Sequence, residues 1–443
     1  MDNLLRFKKA FLIVGDATVF YLSLLITLFI RHPETFSQNI IKEHLGPFSL
    51  ILILWLLIFY IIGLYDFKNL KNSLQFLKIL GVSFLINLLI ATAIFYIFPF
   101  GISPKRNLLL LALIFNLFII FWRWIFNSLA SRQAPQKTVI IGDSPLIQKI
   151  INELHQNPLW GYEIVGWLKK GVDDPQLKDL PFMITNQKIT TLIIPFSLKE
   201  NQNLVKILYQ NLVLGIEILE LTDFFEQIFK KTPLVELEKH WFLENLAKSR
   251  RLYETVKRPI EIFLALIILL ITLPLFLIIG FLIKITSSGP IIYKQTRIGQ
   301  LEKPFILYKF RTMKKDAEKN GPQWAIKNDP RITFIGKILR ASHLDELPQI
   351  FNILKGELSF VGPRPERPEF VKELKEKIPY YEIRHLVKPG LTGWAQINYR
   401  YGASIEDAYE KLEYDIYYLK NRSLTLDLLI ILKTIKAFFF NPR

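Results

Sequence analysis

Hydrophobic positions along this chain gather into long blocks before they settle into finer alternation. Four apolar blocks, roughly Ala10–Ile30, Pro47–Tyr65, Phe76–Phe98 and Leu108–Phe126, occupy the first third. Each is close to the ~20 residues an α-helix needs to cross the hydrocarbon core of a bilayer. The pattern therefore predicts a four-helix transmembrane bundle over residues 1–130. Arg6, Lys8 and Lys9 precede the first block and no small-residue cleavage site follows it, unlike a secretory signal peptide. Lys68, Lys71 and Lys78 mark the second connection, and Arg123, Arg132 and Lys137 the exit of the fourth block. The other connections offer Arg31 with Lys42, and Lys105 with Arg106. This bias favours cytoplasmic ends for the bundle. Asp16, inside the first block, is costly in lipid and implies either an interhelical partner or a functional role.

After Pro135 the pattern changes. KTVIIGD (137–143), YEIVGWL and ITTLIIPF read as strands, PLIQKIINELHQ and Leu204–Leu214 as amphipathic helices, with GIEILEL beyond. Strands alternating with helices predict a small parallel sheet, a Rossmann-like (CoA-binding-like) module over 135–245. A dinucleotide site wants G-x-G-x-x-G after the first strand. Here the turn is Gly142-Asp143-Ser144-Pro145, which favours a structural or regulatory module over a cofactor-binding one.

A further apolar run, Ile262–Ile283, follows Lys257-Arg258-Pro259 and is interrupted by Thr272, Pro274 and Gly280. Its length would suit a crossing. Pro274, however, removes a backbone hydrogen bond in mid-run and kinks a helix. Basic residues also flank both ends: Lys257 and Arg258 before, Lys284, Lys294, Arg297 and Lys303 after. Symmetric positive flanks suit a helix that enters and returns to one face. The expectation is a re-entrant membrane helix over 259–285, kinked at Pro274, within a monotopic α/β domain over 250–443. The final LDLLIILKTIKAFFF, with Lys433 and Lys436 three apart, reads as an interfacial amphipathic helix.

Composition narrows the chemistry. The 443 residues are 51% hydrophobic and carry a formal charge of +17, from 56 Lys and Arg against 39 acids. With membrane segments present, an anionic lipid surface and phosphorylated substrates explain that charge better than nucleic acid does. The absence of cysteine excludes disulfides, thiolate metal sites and thiol nucleophiles. The six histidines (32, 44, 155, 240, 343, 385) have no metal-ligand spacing. Between Gly289 and Arg367, by contrast, Lys309, Arg311, Arg331, Arg340 and Arg364 sit among Gly- and Pro-bearing turns, as in GP at 289, DPRI at 329 and VGPRPERP at 361. Basic side chains on rigid turns hold phosphate oxygens, although a basic face on anionic lipid would read similarly.

Within SHLDELPQIFNILKGELSFVGPRP, the adjacent Asp345-Glu346 could simply begin the helix carrying QIFNIL. The same helix end would lower a carboxylate's pKa and present it, ionised, beside Arg340. A carboxylate so placed can attack phosphorus, and an acidic neighbour can hold Mg²⁺.

These surroundings resemble those of the bacterial sugar transferases, the polyprenyl-phosphate sugar-1-phosphate transferases. The resemblance rests on KRPIEIF, GPIIYKQTRIG, FILYKFRTM, DPRITFIGKILR, LDELPQIFNILKGELSFVGPRPERPEF, KPGLTGWAQINYRYGAS and KLEYDIYYLKNRSLTLDLLI, in order from Lys257 to Phe439. Four spans, a middle module and a catalytic domain are similar to the family's large form, which initiates capsule, exopolysaccharide or O-antigen units. The resemblance implies that Asp345 is the nucleophile taking sugar-1-phosphate from a UDP-sugar (glucose or galactose first) and releasing UMP. It implies that Glu346 joins it in binding Mg²⁺, that Arg340 contacts phosphate, and that Pro363-Arg364-Pro365 lies near the nucleotide. Asp415 and Asp427 match two further acidic positions of open role. The acceptor would be undecaprenyl phosphate, and the setting the bacterial inner membrane with the catalytic domain on its cytoplasmic face. Inner-membrane lipid and a homo-oligomer are the other expected partners. A membrane glycosyltransferase releasing UDP is the main rival reading. A nucleotide-sugar dehydratase would use a Tyr-x-x-x-Lys pair, and Tyr253 and Lys257 have that spacing, but the glycine turn such an enzyme needs is missing. The chain departs from the family pattern at Leu273, where serine is common, and at Glu302, where glycine is.

Overall fold

The computed structural model describes residues 2–65, 73–98, 100, 104–132, 135–177, 179–198, 201–211, 214–247, 250–314, 317, 329–399, 402 and 404–440. Lys68, Lys71, Lys315 and Lys319 lie outside them. The chain divides into two compact units, Met1–Ile194 with Leu198–Ile218, and Pro195–Ser197 with Leu219–Arg443.

The first unit begins with α1 (Asp2–Arg31), α2 (Gln38–Ile62), α3 (Leu74–Ile97) and α4 (Pro104–Arg132), each long and apolar enough to cross a membrane. Aromatic rings fill the space between them: Phe20, Trp55 and Phe115 meet with centroids 5.3–5.5 Å apart. Asp16 finds its partner there. Arg123, counted above among the basic residues that mark the exit of the fourth block, is fully buried. Its Nε donates to Asp16 Oδ1 at 3.1 Å, and one terminal nitrogen donates to the Leu64 carbonyl at 2.8 Å. Tyr65 Oη and Trp122 Nε1 complete the carboxylate's shell at 2.7 and 3.1 Å. A lone carboxylate among apolar helices requires this degree of pairing, which is why the cation turns inward.

The module that follows carries β1 (Gln136–Ile141), α5 (Pro145–Gln156), β2 (Tyr162–Leu168), α6 (Leu180–Gln187), β3 (Thr191–Ile194), α7 (Gln202–Asn211) and β4 (Glu217–Glu220). The sheet order is β2-β1-β3-β4, with β1 parallel to both its neighbours. In the first turn, Ser144 caps α5 by accepting from the Leu146 amide at 3.2 Å, and the Gly142 carbonyl accepts Trp167 Nε1 at 2.9 Å.

The second unit holds α8 (Leu221–Phe229), α9 (Lys239–Leu246), α10 (Arg251–Thr286), β5 (Ile292–Ile298), β6 (Pro304–Phe310), α11 (Phe334–Ala341), α12 (Ile350–Lys355), β7 (Ser359–Val361), α13 (Pro368–Lys377), β8 (Gly390–Thr392), α14 (Trp394–Asn398), α15 (Ile405–Asn421) and α16 (Leu424–Phe440). Segment 219–246 belongs here because Leu234, Leu237 and Trp241 pack on Val371, Leu374 and Ile416. β5 and β6 form an antiparallel pair joined by a turn in which Leu301 and Glu302 both take positive φ (53° and 59°). That is glycine-like backbone at the position where Glu302 departs from the family pattern. β7 and β8 pair in parallel, and they touch so closely that a Cβ on Gly390 would lie 2.1 Å from the Gly362 amide nitrogen.

α10 runs for 36 residues with both Pro259 and Pro274 inside it. Along its length one face rests on this unit. Arg258 donates to the Ile353 and Leu354 carbonyls at 2.6 and 2.8 Å, Ala265 packs on Phe305 and Ile350, and Ile279 and Ile283 pack on Phe310 and Leu339. The other face, including Leu270, Ile271, Leu277 and Phe281, is exposed.

Candidate active site

The chain approaches Asp345 through a tight reversal. α11 starts at the Thr333 cap and passes beneath the strand end at Thr312. Gly336 allows that approach, since a Cβ there would lie 2.0 Å from the Thr312 carbonyl oxygen. His343 then adopts left-handed backbone (φ 54°), and a 3₁₀ turn, Leu344–Gln349, leads directly into α12. Asp345 and Glu346 occupy the first turn of this segment, where exposed amides favour acids, but neither is the N-cap; His343 is. Asn352, fully buried, anchors α12 on β6: its Oδ1 accepts the Tyr308 amide at 3.1 Å and its Nδ2 donates to the Ile306 carbonyl at 2.6 Å. β6 thereby delivers Lys309 to the acids.

The two carboxylates have opposite environments. Glu346 Oε1 accepts from Lys309 Nζ at 2.9 Å and from Arg364 at 3.0 Å. Burial pushes the Glu346 carboxyl up, but Lys309 and then Arg364 outweigh it and hold it well below the usual range. Asp345 is 8% exposed and has no hydrogen-bond or ion-pair partner among the described residues. Its pKa is raised: burial disfavours the charge, and the pull of Lys309 is opposed by the neighbouring Glu346 and only partly supported by Arg340 and Arg364. The sequence expectation was a carboxylate lowered by the helix end. The structure assigns lowering to Glu346 and raising to Asp345, because the nearby cations bind the former. Two adjacent acids with pKa values pushed apart are a recurrent sign of divided chemical labour.

Arg364 is held as firmly as its partner. It follows β7, and the three peptide carbonyls of Pro363-Arg364-Pro365 are all engaged. Pro363 O accepts the Gly390 amide at 2.9 Å, Arg364 O accepts Arg384 at 3.0 Å, and Pro365 O accepts Arg297 at 3.1 Å. Arg340 Nε donates to Thr312 Oγ1 at 2.9 Å, and its charge acts on Asp345.

The remaining sequence candidates bind other partners. Arg331 forms a two-point pair with Asp329 (2.8 and 2.6 Å), which lowers that carboxyl to about 2. Arg311 donates to Ser287 through one nitrogen, while its Nε and other terminal nitrogen are buried without a partner among the described residues. Asp415 accepts twice from Arg384, at 3.1 and 2.8 Å. Asp427 accepts from Tyr253 at 2.8 Å and Tyr418 at 2.9 Å, and pairs with Lys257 at 2.9 Å. Two acidic positions of open role thus turn out to anchor cations and hydroxyls. The Tyr253 and Lys257 spacing is absorbed by the same network. Sequence reasoning missed Arg384, Asn352 and Gln349, whose buried Nε2 has no partner among the described residues. Nothing local marks any of the three as more than an ordinary polar residue.

Comparison with known proteins bears on the family. The family model described as bacterial sugar transferase matches residues 252–441. A UDP-glucose:undecaprenyl-phosphate glucose-1-phosphate transferase of Escherichia coli is 32% identical over 319 residues, 68% of this chain and 67% of that protein. The enzyme of the same name from Xanthomonas campestris is 33% identical over 324 residues, 68% of this chain and 66% of its own length. A UDP-N-acetylgalactosamine-undecaprenyl-phosphate N-acetylgalactosaminephosphotransferase of Aeromonas hydrophila is 45% identical over 186 residues, 42% of this chain, which span 44% of that relative.

Proposed function

Since the chain belongs to the bacterial sugar transferase family, we propose that it transfers a sugar-1-phosphate from a UDP-sugar to undecaprenyl phosphate, with release of UMP. The observation that carries this reading is the pairing of a buried, unneutralised Asp345 with a Glu346 already committed to Lys309 and Arg364. One Asp345 oxygen attacks the sugar-bearing phosphorus of the donor. The bond from that phosphorus to the bridging anhydride oxygen breaks, UMP leaves with the electron pair, and an aspartyl phosphosugar forms. A phosphate oxygen of undecaprenyl phosphate then attacks the same phosphorus, and Asp345 leaves as carboxylate. Each step exchanges one energy-rich phosphoryl linkage for another, so positioning and charge neutralisation carry most of the catalysis.

Lys309, Arg340 and Arg364 supply fixed positive charge around the transferring phosphoryl group. Mg²⁺ fits the donor set: Asp345 and the second oxygen of Glu346 are hard ligands, and this ion commonly takes one or two carboxylates and completes its shell with phosphate and water. When bound it would neutralise phosphate oxygens.

The membrane arrangement follows from α10. Residues from Arg258 to Ile283 pack on one catalytic unit while the opposite face is apolar and exposed. A helix that crossed straight through would pull that unit into the bilayer with it. We therefore read α10 as entering the cytoplasmic leaflet of the inner membrane, bending at Pro274 and returning, which sets Asp345 at the interface where a soluble donor meets a lipid acceptor. The middle sheet reads as a Rossmann-like module. The reaction places the chain at the first membrane step of exopolysaccharide, capsule or O-antigen synthesis.

The test is nucleotide release. Purified enzyme with Mg²⁺, undecaprenyl phosphate and UDP-glucose, UDP-galactose or UDP-N-acetylgalactosamine should give UMP with one donor, and none from Asp345→Asn. Release of UDP would instead mark a glycosyltransferase and remove Asp345 from the chemistry.

A further inference from the structure

At the N-terminal end of α10 the second unit contains a cavity of about 460 Å³ that includes none of the residues assigned to the reaction above. Four cations face it, Lys257, Arg258, Lys388 and Arg422, against two carboxylates, Glu254 and Glu261. Most of this charge is matched locally. Lys257 pairs with Asp427 at 2.9 Å, and Arg422 with Glu254 at 3.4 Å. Glu261 is engaged by the Ser359 hydroxyl and by the Phe360 amide at 3.2 Å.

Arg258 and Lys388 remain. Arg258 spends its terminal nitrogens on two peptide carbonyls and pairs with no carboxylate among the described residues. Lys388 has no hydrogen-bond or ion-pair partner among the described residues. Both converge on Gly356: a Cβ there would lie 3.3 Å from an Arg258 nitrogen and 3.5 Å from Lys388 Nζ. Burial and the Arg258 charge push the Lys388 amine down, and the more distant Glu261 and Glu254 offset that only in part. Two like charges held together at a cavity mouth are relieved by an anion between them, and a planar guanidinium beside an ammonium suits tetrahedral oxyanions. Leu386 and Val387 give the cavity an apolar wall, and α10 carries exposed apolar side chains beside its cavity-lining residues, at Leu252, Val256 and Ile260. Basic residues next to a membrane-embedded helix lie at headgroup level.

We propose that this cavity is a second anion site that binds a phosphate oxyanion between Arg258 and Lys388, distinct from the cluster at Asp345. Its position selects the phosphodiester of a membrane phospholipid as first source, with free phosphate as the other. A lipid held there would pin the entry of α10 to the leaflet surface.

The experiment uses delipidated full-length protein in detergent, with ligand retention read by native mass spectrometry. The probes are dioctanoyl phosphatidylglycerol, dioctanoylglycerol as its phosphate-free counterpart, and inorganic phosphate. Loss of one charged partner should weaken phosphatidylglycerol binding about tenfold in Lys388→Gln. Lys388→Arg should restore it, Arg364→Gln in the other cluster should leave it intact, and dioctanoylglycerol should not discriminate among them. Competition by inorganic phosphate at equal concentration would support the site with a soluble occupant, and its failure to compete would support the lipid. Wild-type affinity in a folded Lys388→Gln would overturn the proposal. If that variant does not fold, acetylation of Lys388 in the wild-type protein decides: protection by either phosphate probe supports the site, and equal labelling with and without both refutes it. Neither readout depends on transferase activity, so the two proposals fail separately.

Discussion

Asp415 is the sharpest place to separate anchoring from chemistry. It is 2% exposed, and Arg384, at 7%, is its partner through two hydrogen bonds. Arg384 also donates to Tyr381 Oη at 2.6 Å and to the Arg364 carbonyl at 3.0 Å, which ties it to the loop that holds Glu346. Asp415→Asn keeps the shape and one acceptor oxygen but leaves a buried guanidinium without its counter-charge. Breaking a buried pair from one side costs about 3–5 kcal/mol, and the retained acceptor brings the expectation to about 3 kcal/mol. For a domain of this size that corresponds to a fall of roughly 10 °C in Tm. Below that temperature the Arg364 loop loses one of its anchors, so UMP release per folded enzyme should fall about tenfold, far less than in Asp345→Asn. Differential scanning fluorimetry in detergent and single-turnover UMP release measure the two effects. An unchanged Tm with activity lost as completely as in Asp345→Asn would refute the anchoring role and put Asp415 against the substrate.

Glu346→Gln should lower kcat/KM about a hundredfold, because Lys309 and Arg364 then face each other without the carboxylate that sets them. The pH profile should show an acid limb in kcat/KM with its midpoint above the ordinary aspartyl value of about 3.9, since burial raises Asp345 and the reaction needs it ionised. Stability follows the opposite sign at its neighbour. Glu346 is depressed, so its contribution is complete above the unfolded range of about 4.3 and is lost as pH falls through its folded value, which acid titration of the unfolding transition checks. In the bundle, Arg123→Met should cost about 3–5 kcal/mol by stranding Asp16, and the double change with Asp16→Leu should recover most of it in detergent unfolding. Gly336→Ala drives a methyl into the Thr312 carbonyl and should destabilise by at least about 1–3 kcal/mol, displacing Arg340 through its Thr312 contact.

The membrane helices were legible because block length alone separates them from a soluble core, and the parallel sheet because strand and helix periods alternate from Lys137 onward. Asp345, Glu346 and Arg364 were singled out through a run of motifs in family order, and the structure brings Arg364 onto Glu346. What their sequence could not carry is the division of charge between neighbours. Whether Lys309 and Arg364 bind residue 345 or 346 depends on the left-handed turn at His343 and the 3₁₀ geometry after it. Arg331 and Arg311 looked equivalent to Arg364 on a local reading, since all three flank turns. In the structure Arg331 pairs with Asp329 two residues before it, and Arg311 binds Ser287 at the distant end of α10 through one nitrogen. The same limit applied to Asp16 and Arg123, 107 positions apart, whose pairing no window of sequence contains.

The second unit also joins its membrane helix to its catalytic loop by direct bonds. Lys257, at the start of α10, donates to the Val361 carbonyl at 2.9 Å, and Tyr418 Oη lies 3.1 Å from the same oxygen. Asp427 binds both donors' network and so fixes α16 to it. Val361 ends β7, and Arg364, which holds Glu346, stands three residues later. On the reading proposed above, a shift of α10 in the lipid would reach the cation beside Glu346 through this one carbonyl. On this argument Lys257→Met should act on the chemistry rather than on membrane attachment. The protein should remain in the membrane fraction, because the apolar face of α10 is untouched, while UMP release falls about tenfold with little change in donor KM. Retained activity in a membrane-bound Lys257→Met would show that the loop holds its own position without the helix.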